Sequence, residues 1–450
     1  MSDGSRVLSL AAATGGGRLR QVDALRVITC LSVVAVHSIG GPYPPDVVGI
    51  GAATSILHYS REIFFFVSAL VLVRTYVPRL GPDGRLPDEG AFRRRRLRLI
   101  GVPYLVWTTI YFVVWIWHVR STQPLGPIVD DMPLRWVYLV VTGNGCYHMY
   151  FLLVTLQFAV IFPHFLRFLG RTQGRHGWVL AASAVAQVAT LSIYHWVALP
   201  DEGWRMLIGD SSLFAYQLWM VAGALAGLHL ERMHDWLTSH KALVLLSVPV
   251  ALVALLWNYY SHIPSMGVLE ASTPLQPMML VWSAVTLGAL YLLADRCASF
   301  DSPVARAVFG YGAQLSFGVY LVHPLVLDMV LSMFRRIGVF AASPWIAAVA
   351  FLLTSSGAVV VCTILHRTRL ALPLLGRGRI ESGHMARIWA PDLRPQLAAT
   401  SALMLLVAAA VLVAYRQAPP AATQPGGWAI TVGAETVQPD GNVVRDVAGR

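Results

Sequence analysis

Three polar side chains in the first apolar stretch are the residues best suited to carry chemistry. Residues 21–40 read QVDALRVITCLSVVAVHSIG, so Asp23, Arg26 and His37 stand among apolar neighbours. Ionisable groups inside a membrane-spanning helix are energetically costly and are often functional. A neutral histidine there can act as a general base or as a nucleophile. His37 is therefore the first candidate for a reacting group.

The spacing of these residues places them along one side of a helix. Arg26 and His37 are eleven residues apart, so on a helix they lie within roughly 20° of one face and about 16 Å apart along the axis. Asp23 precedes Arg26 by three residues, which suits a helical ion pair. A structural interpretation is equally open, in which Arg26 anchors the helix at the interface and His37 bonds a neighbouring helix.

The composition indicates that these residues work in a lipid bilayer. Of 450 residues, 56% are hydrophobic and 13% are charged, whereas about a quarter are charged in ordinary globular chains. A spanning helix needs about 20 mostly apolar residues, and such runs lie near residues 24–42, 50–73, 99–118, 148–168, 178–198, 211–230, 242–260, 276–294, 314–334, 345–365 and 398–415. This pattern predicts an all-α, polytopic transmembrane helix bundle of ten spans plus one extra C-terminal span.

The distribution of arginine predicts how the spans are oriented. With a cytoplasmic N-terminus, the inner loops hold five Arg within residues 93–98 and six Arg between residues 367 and 394. Lys and Arg concentrate on the cytoplasmic side of membrane proteins. The net charge of +11 is thus explained by topology, with membrane lipid rather than nucleic acid as partner. We expect an integral protein of the cytoplasmic (plasma) membrane, with the N-terminus inside.

The chain divides into five predicted segments. Residues 1–20 form a cytoplasmic tail, 21–375 a transmembrane domain, 376–397 a basic cytoplasmic linker and 398–415 an accessory transmembrane helix. Residues 416–450, with the run PPAATQPGG, lack the apolar content to fold alone, which predicts a disordered extracytoplasmic tail. The four cysteines are far apart in sequence, so neither a zinc site nor a disulfide framework is indicated and no metal is expected.

Motifs along the chain resemble those of the membrane-bound acyltransferase 3 family. In that family an Asp-x-x-Arg start is followed by ten residues and a His, as in Asp23, Arg26 and His37. The segment FFFVSALVL is similar to the second-helix pattern Phe-Phe-x-x-Ser-Gly-Phe, with Ala69 and Leu70 in place of Gly and the aromatic residue. Residues 92–107, 147–163 and 316–326 resemble the family's third, fourth and ninth helices. The resemblance covers roughly residues 20–375.

This resemblance implies transfer of an acyl group from acyl-coenzyme A to a hydroxyl, commonly on a glycan or lipid-linked sugar. It makes acetyl-CoA or another short acyl-CoA the donor. His37 is then the general base on the acceptor hydroxyl or the carrier of the acyl group, and Arg26 is a catalytic or positioning group held by Asp23. Four arginines are candidates to bind the donor phosphates, with the family's Arg-x-x-Arg in either of two registers: Arg93 with Arg96, or Arg95 with Arg98. The same run also fits a positive-inside signal or contact with anionic lipid.

Four further polar residues are candidates to contact substrate. They are Glu62, His148, Tyr150 and His323. Arg61 and Glu62 lie at the outer end of the second predicted span, and for both the favoured alternative is that they pair with nearby groups and orient the helix. For His323, a structural role in which it braces the helix before Pro324 is as well supported as contact with substrate. Asp328 also lies within a predicted span, and the sequence names no partner for it.

Two other functions remain compatible with parts of this pattern. A transporter or exporter of a small solute or lipid-linked sugar also carries polar residues at mid-membrane. An inactive relative that binds or scaffolds partners is suggested by the altered Ala69 and Leu70. The ordered set of motifs favours the acyltransferase.

Overall fold

The computed structural model describes residues 19–120, 131–197, 208–300, 302–338 and 345–378, together with three short strands near the C-terminus. Fifteen α-helices occur in these residues. They are α1 Arg20–Gly40, α2 Val48–Leu57, α3 Tyr59–Tyr76, α4 Glu89–Arg96, α5 Val102–Val119, α6 Met132–Thr142, α7 Tyr150–Arg171, α8 His176–Trp196, α9 Gln217–Leu228, α10 Leu230–Ser239, α11 Lys241–Ala271, α12 Met278–Ser299, α13 Pro303–Arg336, α14 Trp345–Leu365 and α15 Ala371–Leu375. The short strands are β1 Thr431–Val432, β2 Glu435–Val437 and β3 Val443–Arg445, paired antiparallel in that order.

Within the described residues, nine helical segments are long and apolar enough to cross a membrane. They are Arg20–Gly40, Val48–Arg79, Glu89–Val119, Tyr150–Arg171, His176–Trp196, Lys241–Ala271, Met278–Ser299, Val308–Arg336 and Trp345–Leu365. These segments correspond to nine of the ten predicted family-like spans. A polytopic helical membrane protein is thereby confirmed.

The predicted span at residues 211–230 is shorter than expected. A single 3₁₀ turn, Leu213–Ala215, precedes α9, which has only 12 residues. A helix of that length rises about 18 Å, which is less than the hydrocarbon core of about 30 Å. Sequence hydropathy could not separate the turn from the helix because both are apolar.

The described residues form two compact units, each of which is built from separate stretches of chain. The first unit contains residues up to 33, 51–97 and 154–313, and the second contains residues 34–50, 98–153 and from 314 onward.

In the first unit, α9 lies directly against α3. Gly223 and Gly227 are four residues apart, and a Cβ atom at Gly223 would overlap the Phe66 backbone. At Gly227 a Cβ atom would stand 3.0 Å from the Leu70 carbonyl oxygen. Small residues at this spacing let two helix backbones approach closely in a membrane. The FFFVSALVL segment of α3 is therefore positioned by backbone contact with α9.

In the second unit, α5 is fixed by bonds to distant parts of the chain. The Trp107 indole Nε1 donates to the Leu374 carbonyl oxygen in α15 at 2.8 Å, and the Tyr104 hydroxyl donates to the Val140 carbonyl oxygen in α6 at 2.6 Å. Apolar contacts join α13 to α14 through Leu327, Phe334 and other buried side chains. These contacts hold α5 and α13, which carry several of the polar and aromatic residues of interest.

The predicted C-terminal segments fall mostly outside the described residues. The accessory span at 398–415 lies entirely outside them, and of the linker at 376–397 only residues 376–378 are described. In the tail at 416–450, which we predict to be disordered, the description is limited to the backbone of β1, β2 and β3. The linker, accessory helix and tail stay predictions.

Candidate active site

Three histidines that are far apart in sequence meet in the second unit. His37 lies near the end of α1, His148 lies two residues before α7, and His323 lies in the middle of α13. The ring centroids of His37 and His323 are 5.4 Å apart, and those of His148 and His323 are 5.2 Å apart. We call His37, His148 and His323 the histidine cluster. All three are candidates from the sequence, and the fold brings them together.

Three tyrosines surround the histidine cluster. The Tyr147 ring lies 4.1 Å from the His37 ring, Tyr111 lies 5.4 Å from His148, and Tyr320 lies 5.2 Å from His148, centroid to centroid. The Tyr320 hydroxyl donates to the His148 carbonyl oxygen at 2.6 Å, and the Tyr111 hydroxyl donates to the Leu321 carbonyl oxygen at 2.5 Å. These bonds fix the backbone on which His148 and His323 stand.

The His-Pro step in α13 determines which nitrogen of His323 carries the proton. Pro324 has no backbone N–H, so the carbonyl of Tyr320, four residues earlier, loses its helical donor. The His323 Nδ1 lies 2.7 Å from that same carbonyl oxygen. A carbonyl only accepts, so Nδ1 must carry a hydrogen, and in the neutral ring Nε2 then presents a bare lone pair. His323 Nε2 is buried and has no hydrogen-bond partner among the described residues.

The imidazole of His148 is enclosed by the protein. Its side chain is 1% exposed, and neither ring nitrogen has a hydrogen-bond partner among the described residues. An unpaired buried imidazole is costly. His148 is therefore available to bond a group that enters the cluster.

The side chains in and around the histidine cluster differ in exposure. His323 and His148 are buried, whereas His37 is half-buried and Tyr147 is exposed. His37 is therefore the histidine of the cluster that is most accessible to a ligand. The arrangement offers a reachable imidazole beside two buried ones, which suits proton transfer or nucleophilic attack. No three His, Cys, Asp or Glu side chains of the described residues are placed to hold one metal ion.

Asp328 finds its partners further along α13 and on α5. Its carboxylate lies 3.5 Å from His118 Nε2 and 4.0 Å from an Arg335 guanidinium nitrogen. Arg335 also donates to the Ser332 hydroxyl at 2.9 Å. Sequence reasoning did not find the pair with His118, because that residue lies more than 200 positions away.

Glu62 belongs to a separate network in the first unit. Its Oε1 accepts from Arg61 at 3.0 Å, and Arg61 also pairs with Asp210 at 2.7 Å and stacks over the Tyr216 ring. The Tyr216 hydroxyl completes the network by donating to Asp210 at 2.9 Å. The contacts are those expected of the alternative structural role, in which Arg61 and Glu62 orient the helix. Contact of Glu62 with substrate stays a prediction.

Arg26 and Tyr150 lie on helices that carry or adjoin residues of the cluster. Arg26 is half-buried in the first-unit part of α1, and the helix continues without a break to His37, as predicted. Its ion pair with Asp23 stays a prediction. Tyr150 is half-buried at the start of α7, where its backbone packs against Gly143.

The arginines of the basic run differ in their surroundings. Arg93 pairs with Glu89 at 3.6 Å, and Arg96 lies over the Tyr76 and Phe92 rings at 5.2 Å and 5.5 Å. Arg95 and Arg98 are exposed, and no ion pair within the described residues involves either of them. Of the two Arg-x-x-Arg registers, only Arg95 with Arg98 therefore leaves both guanidinium groups accessible to a ligand.

Comparison with known proteins confirms the resemblance found in the motifs. The model of the family described as "Acyltransferase domain", the acyltransferase 3 family, matches residues 19–367. Over 184 residues the chain is 28% identical to "Putative membrane-bound acyltransferase YfiQ" of Bacillus subtilis (strain 168), and the match covers 39% of this chain and 46% of that protein. The chain thus spans about half the length of this curated relative. No solved structure matches the chain. Because the family model covers well over half of its residues, the chain belongs to the acyltransferase 3 family of membrane proteins.

Proposed function

We propose that the protein transfers an acetyl or other short acyl group from cytoplasmic acyl-coenzyme A to a hydroxyl of a glycan, a lipid-linked sugar or a similar acceptor. The observation that carries this proposal is the histidine cluster, in which a reachable His37 stands beside His323 with its bare Nε2. Family membership and the name of the Bacillus relative support an acyl transfer at the membrane. The identity of the donor and that of the acceptor are part of the proposal.

The chemistry balances with the residues at hand. An imidazole nitrogen of His37 takes the proton of the acceptor hydroxyl, and the oxygen attacks the thioester carbonyl. The carbon–sulfur bond then breaks, and the departing thiolate of coenzyme A takes a proton back. In the alternative route a nitrogen of His37 attacks the thioester carbonyl, the carbon–sulfur bond breaks, and the thiolate leaves with the proton of the imidazolium. The acceptor hydroxyl then takes the acyl group from the acyl-imidazole and returns its proton to His37. In both routes His323 and His148 position His37 and share its proton.

The remaining candidates are assigned by their location. Arg95 and Arg98 bind donor phosphates, since their guanidinium groups are exposed and arginine matches phosphate geometry. Arg26 acts as a positioning group on the donor side. Helix α4 and the residues just after it, which carry the basic run, face the cytoplasm of a plasma membrane. His148 and Tyr150 contact the acceptor.

The proposal is tested by thioester turnover in the purified protein. Labelled acetyl- and succinyl-coenzyme A are supplied, and released thiol is measured for the native protein, for His37→Gln and for His164→Gln. His164 is an exposed histidine of α7 and serves as the matched control. We expect turnover by the native protein and the control, and a loss of at least about a hundredfold in His37→Gln.

Two outcomes would contradict the proposal. Equal turnover in His37→Gln and His164→Gln removes His37 from the chemistry. If the native protein neither binds nor consumes acyl-coenzyme A, acyl-coenzyme A is not its donor. Transport is then the better explanation of the intramembrane polar groups. Mass spectrometry of a rapidly quenched reaction separates the two routes, because only the second leaves an acyl group on the peptide that contains His37.

A further inference from the structure

A cavity of about 300 Å³ lies in the first unit where α3 and α7 end. It is lined by Val77, Leu80, Asp83, Gly84, Arg85, Leu166, Arg167, Leu169, Gly170, Arg171 and Leu228. Its walls are thus apolar residues of α7, α9 and the turn that follows α3, and its polar groups come from the loop after α3 and the last turns of α7. None of the three arginines belongs to the basic run singled out in the sequence.

The polar lining of this cavity carries more positive than negative charge. Three of its residues are arginines and one, Asp83, is acidic. Arg85 lies 3.9 Å from Asp83, a long contact between two largely exposed side chains, which contributes little on its own. Arg171 is exposed and makes no ion pair within the described residues. Two guanidinium groups can therefore turn toward an anion at little cost.

The loop that carries Arg85 is a closed turn. Gly81 N–H donates to the Arg85 carbonyl at 2.8 Å, and Gly84 N–H donates to the Gly81 carbonyl at 2.9 Å. Gly84 has φ +73°, a conformation that side chains other than glycine rarely adopt. The Asp83 carboxylate accepts from the Arg85 N–H at 3.1 Å. The rim of the cavity is thus held in place before any ligand binds, which reduces the entropic cost of binding.

A single carboxylate connects the cavity to the basic run. Glu89 at the start of α4 pairs with Arg167 of the cavity at 3.7 Å and with Arg93 of the run at 3.6 Å. Arg167 of the cavity and Arg93 of the run are therefore neighbours in the first unit, joined through Glu89.

We propose that this cavity binds the phosphate-bearing end of the acyl-coenzyme A donor, with Arg85, Arg167 and Arg171 as its ligands. The inference rests on the proposed function and extends it to residues outside the predicted motif. Coenzyme A carries a diphosphate and a separate phosphomonoester, so several arginines are needed to neutralise it. A volume of about 300 Å³ is at the lower limit for small-molecule pockets, which suits one end of the donor while the acyl arm extends away.

Binding of coenzyme A to the full-length protein in detergent tests the inference. Affinities are measured by calorimetry for coenzyme A and for pyrophosphate, with the native protein, Arg85→Gln, Arg171→Gln and Arg175→Gln. Arg175 is exposed and only four residues after Arg171, but it does not line the cavity, so it controls for general loss of charge. We expect each cavity variant to weaken coenzyme A binding about tenfold. The difference in coenzyme A affinity between these variants and the native protein should be smaller at high salt. Arg175→Gln should bind coenzyme A like the native protein.

Four results would overturn the inference. If all three variants bind coenzyme A as the native protein does, the cavity is not the site, and the proposed function stands as long as native thioester turnover persists. Equal weakening in Arg175→Gln indicates a diffuse charge effect. If the cavity variants lose binding of short-chain phosphatidylglycerol added to the detergent solution but keep coenzyme A binding, the site takes a lipid headgroup. A native protein that neither binds nor consumes coenzyme A overturns the inference and the proposed function together.

Discussion

At the residue scale, the site depends on a proline that removes one hydrogen bond and thereby orients a histidine. Because Pro324 cannot donate a helical hydrogen bond to the Tyr320 carbonyl, that carbonyl accepts one from His323 Nδ1 instead. The unprotonated Nε2 is left buried, in a ring that stacks near His37. A histidine before a proline in a helix is a local sequence feature. Its chemical use depends on a partner from another helix.

Replacement of His323 by asparagine separates a role in proton transfer from a role in bracing the helix. The asparagine amide can still donate to the Tyr320 carbonyl, but it has no basic nitrogen. We expect His323→Asn to keep a melting temperature close to that of the native protein while thioester turnover falls at least about a hundredfold. The measurements are thermal melts in detergent and a pH–rate profile. Native turnover with a native pH profile in His323→Asn would assign His323 to bracing alone.

Because of the buried His366, directly after α14, we expect the protein to lose stability in mild acid. Burial, followed by the Arg377 charge, lowers the pKa of His366 to about 4, against about 6.5 in an unfolded chain. Above pH 6.5 the ring is neutral in both states. Between pH 6.5 and 4 the unfolded chain takes up the proton first, so stability falls as the pH falls. At pH 5 the cost is about 2 kcal/mol.

The acid effect is measured by comparing melting temperatures at pH 7.5 and pH 5. We expect the drop between these pH values to be smaller in His366→Gln than in the native protein and in His164→Gln, the exposed histidine control. If the three proteins show the same drop, other groups cause the acid sensitivity.

At the element scale, the close contact between α3 and α9 holds the first unit together. Gly223 and Gly227 face the backbone of α3 at Phe66 and Leu70, within the segment that resembles the family's second helix. A stretch of aromatic and aliphatic residues is easy to recognise in the sequence. Which of its residues need a glycine opposite them depends on the packing of another helix more than 150 residues away.

Gly223→Ala should destabilise the first unit. The added methyl group would overlap the Phe66 backbone, which cannot rotate away as a flexible side chain can. Such overpacking costs about 1–3 kcal/mol. Gly177→Ala is the control, since that helical glycine of α8 has open space around it and alanine favours helix. A melting temperature lowered equally by both changes, or by neither, would contradict the contact.

At the scale of the whole molecule, charge and hydropathy predict the orientation of the spans. Residues 77–98, between α3 and α5, hold seven Arg and three acidic residues, and Arg171 and Arg175 lie at the two ends of the connection between α7 and α8. Such positive segments favour the cytoplasmic side. In this predicted topology the turn between α1 and α2 faces the other side of the membrane. The cavity then lies beside the cytoplasm, where coenzyme A is available.

Labelling of single cysteines in intact cells tests this orientation. Three native cysteines are buried, and Cys297 is partly exposed, so Cys297→Ala supplies the background. A cysteine at the exposed Asp46, between α1 and α2, should react with an impermeant maleimide in intact cells. A cysteine at Arg175 should react only after the membrane is permeabilised. The reverse pattern would invert the topology and contradict a cytoplasmic donor site.

The sequence alone determined the membrane character and nine of the described helices that can span a bilayer, because hydropathy is a local property of the chain. It also determined the family and the candidacy of His37, because motif spacing is local as well. It did not reveal that α9 is short, since a turn and a helix of similar apolarity have the same hydropathy. Tyr111 and Tyr147 were also missed, since their ring contacts are with His148 and His37, residues that are distant in sequence or on another element.

Only the tertiary structure decided which polar residues act together. The histidine cluster joins three helical regions, and Tyr320 bonds His148 across 172 positions of sequence. The cavity likewise joins Arg85 to Arg167 and Arg171 from separate elements. Each of these side chains is compatible with a structural role when taken singly. Their proximity follows from how the helices pack, and helix packing depends on the shapes of surfaces that no local pattern in one sequence specifies.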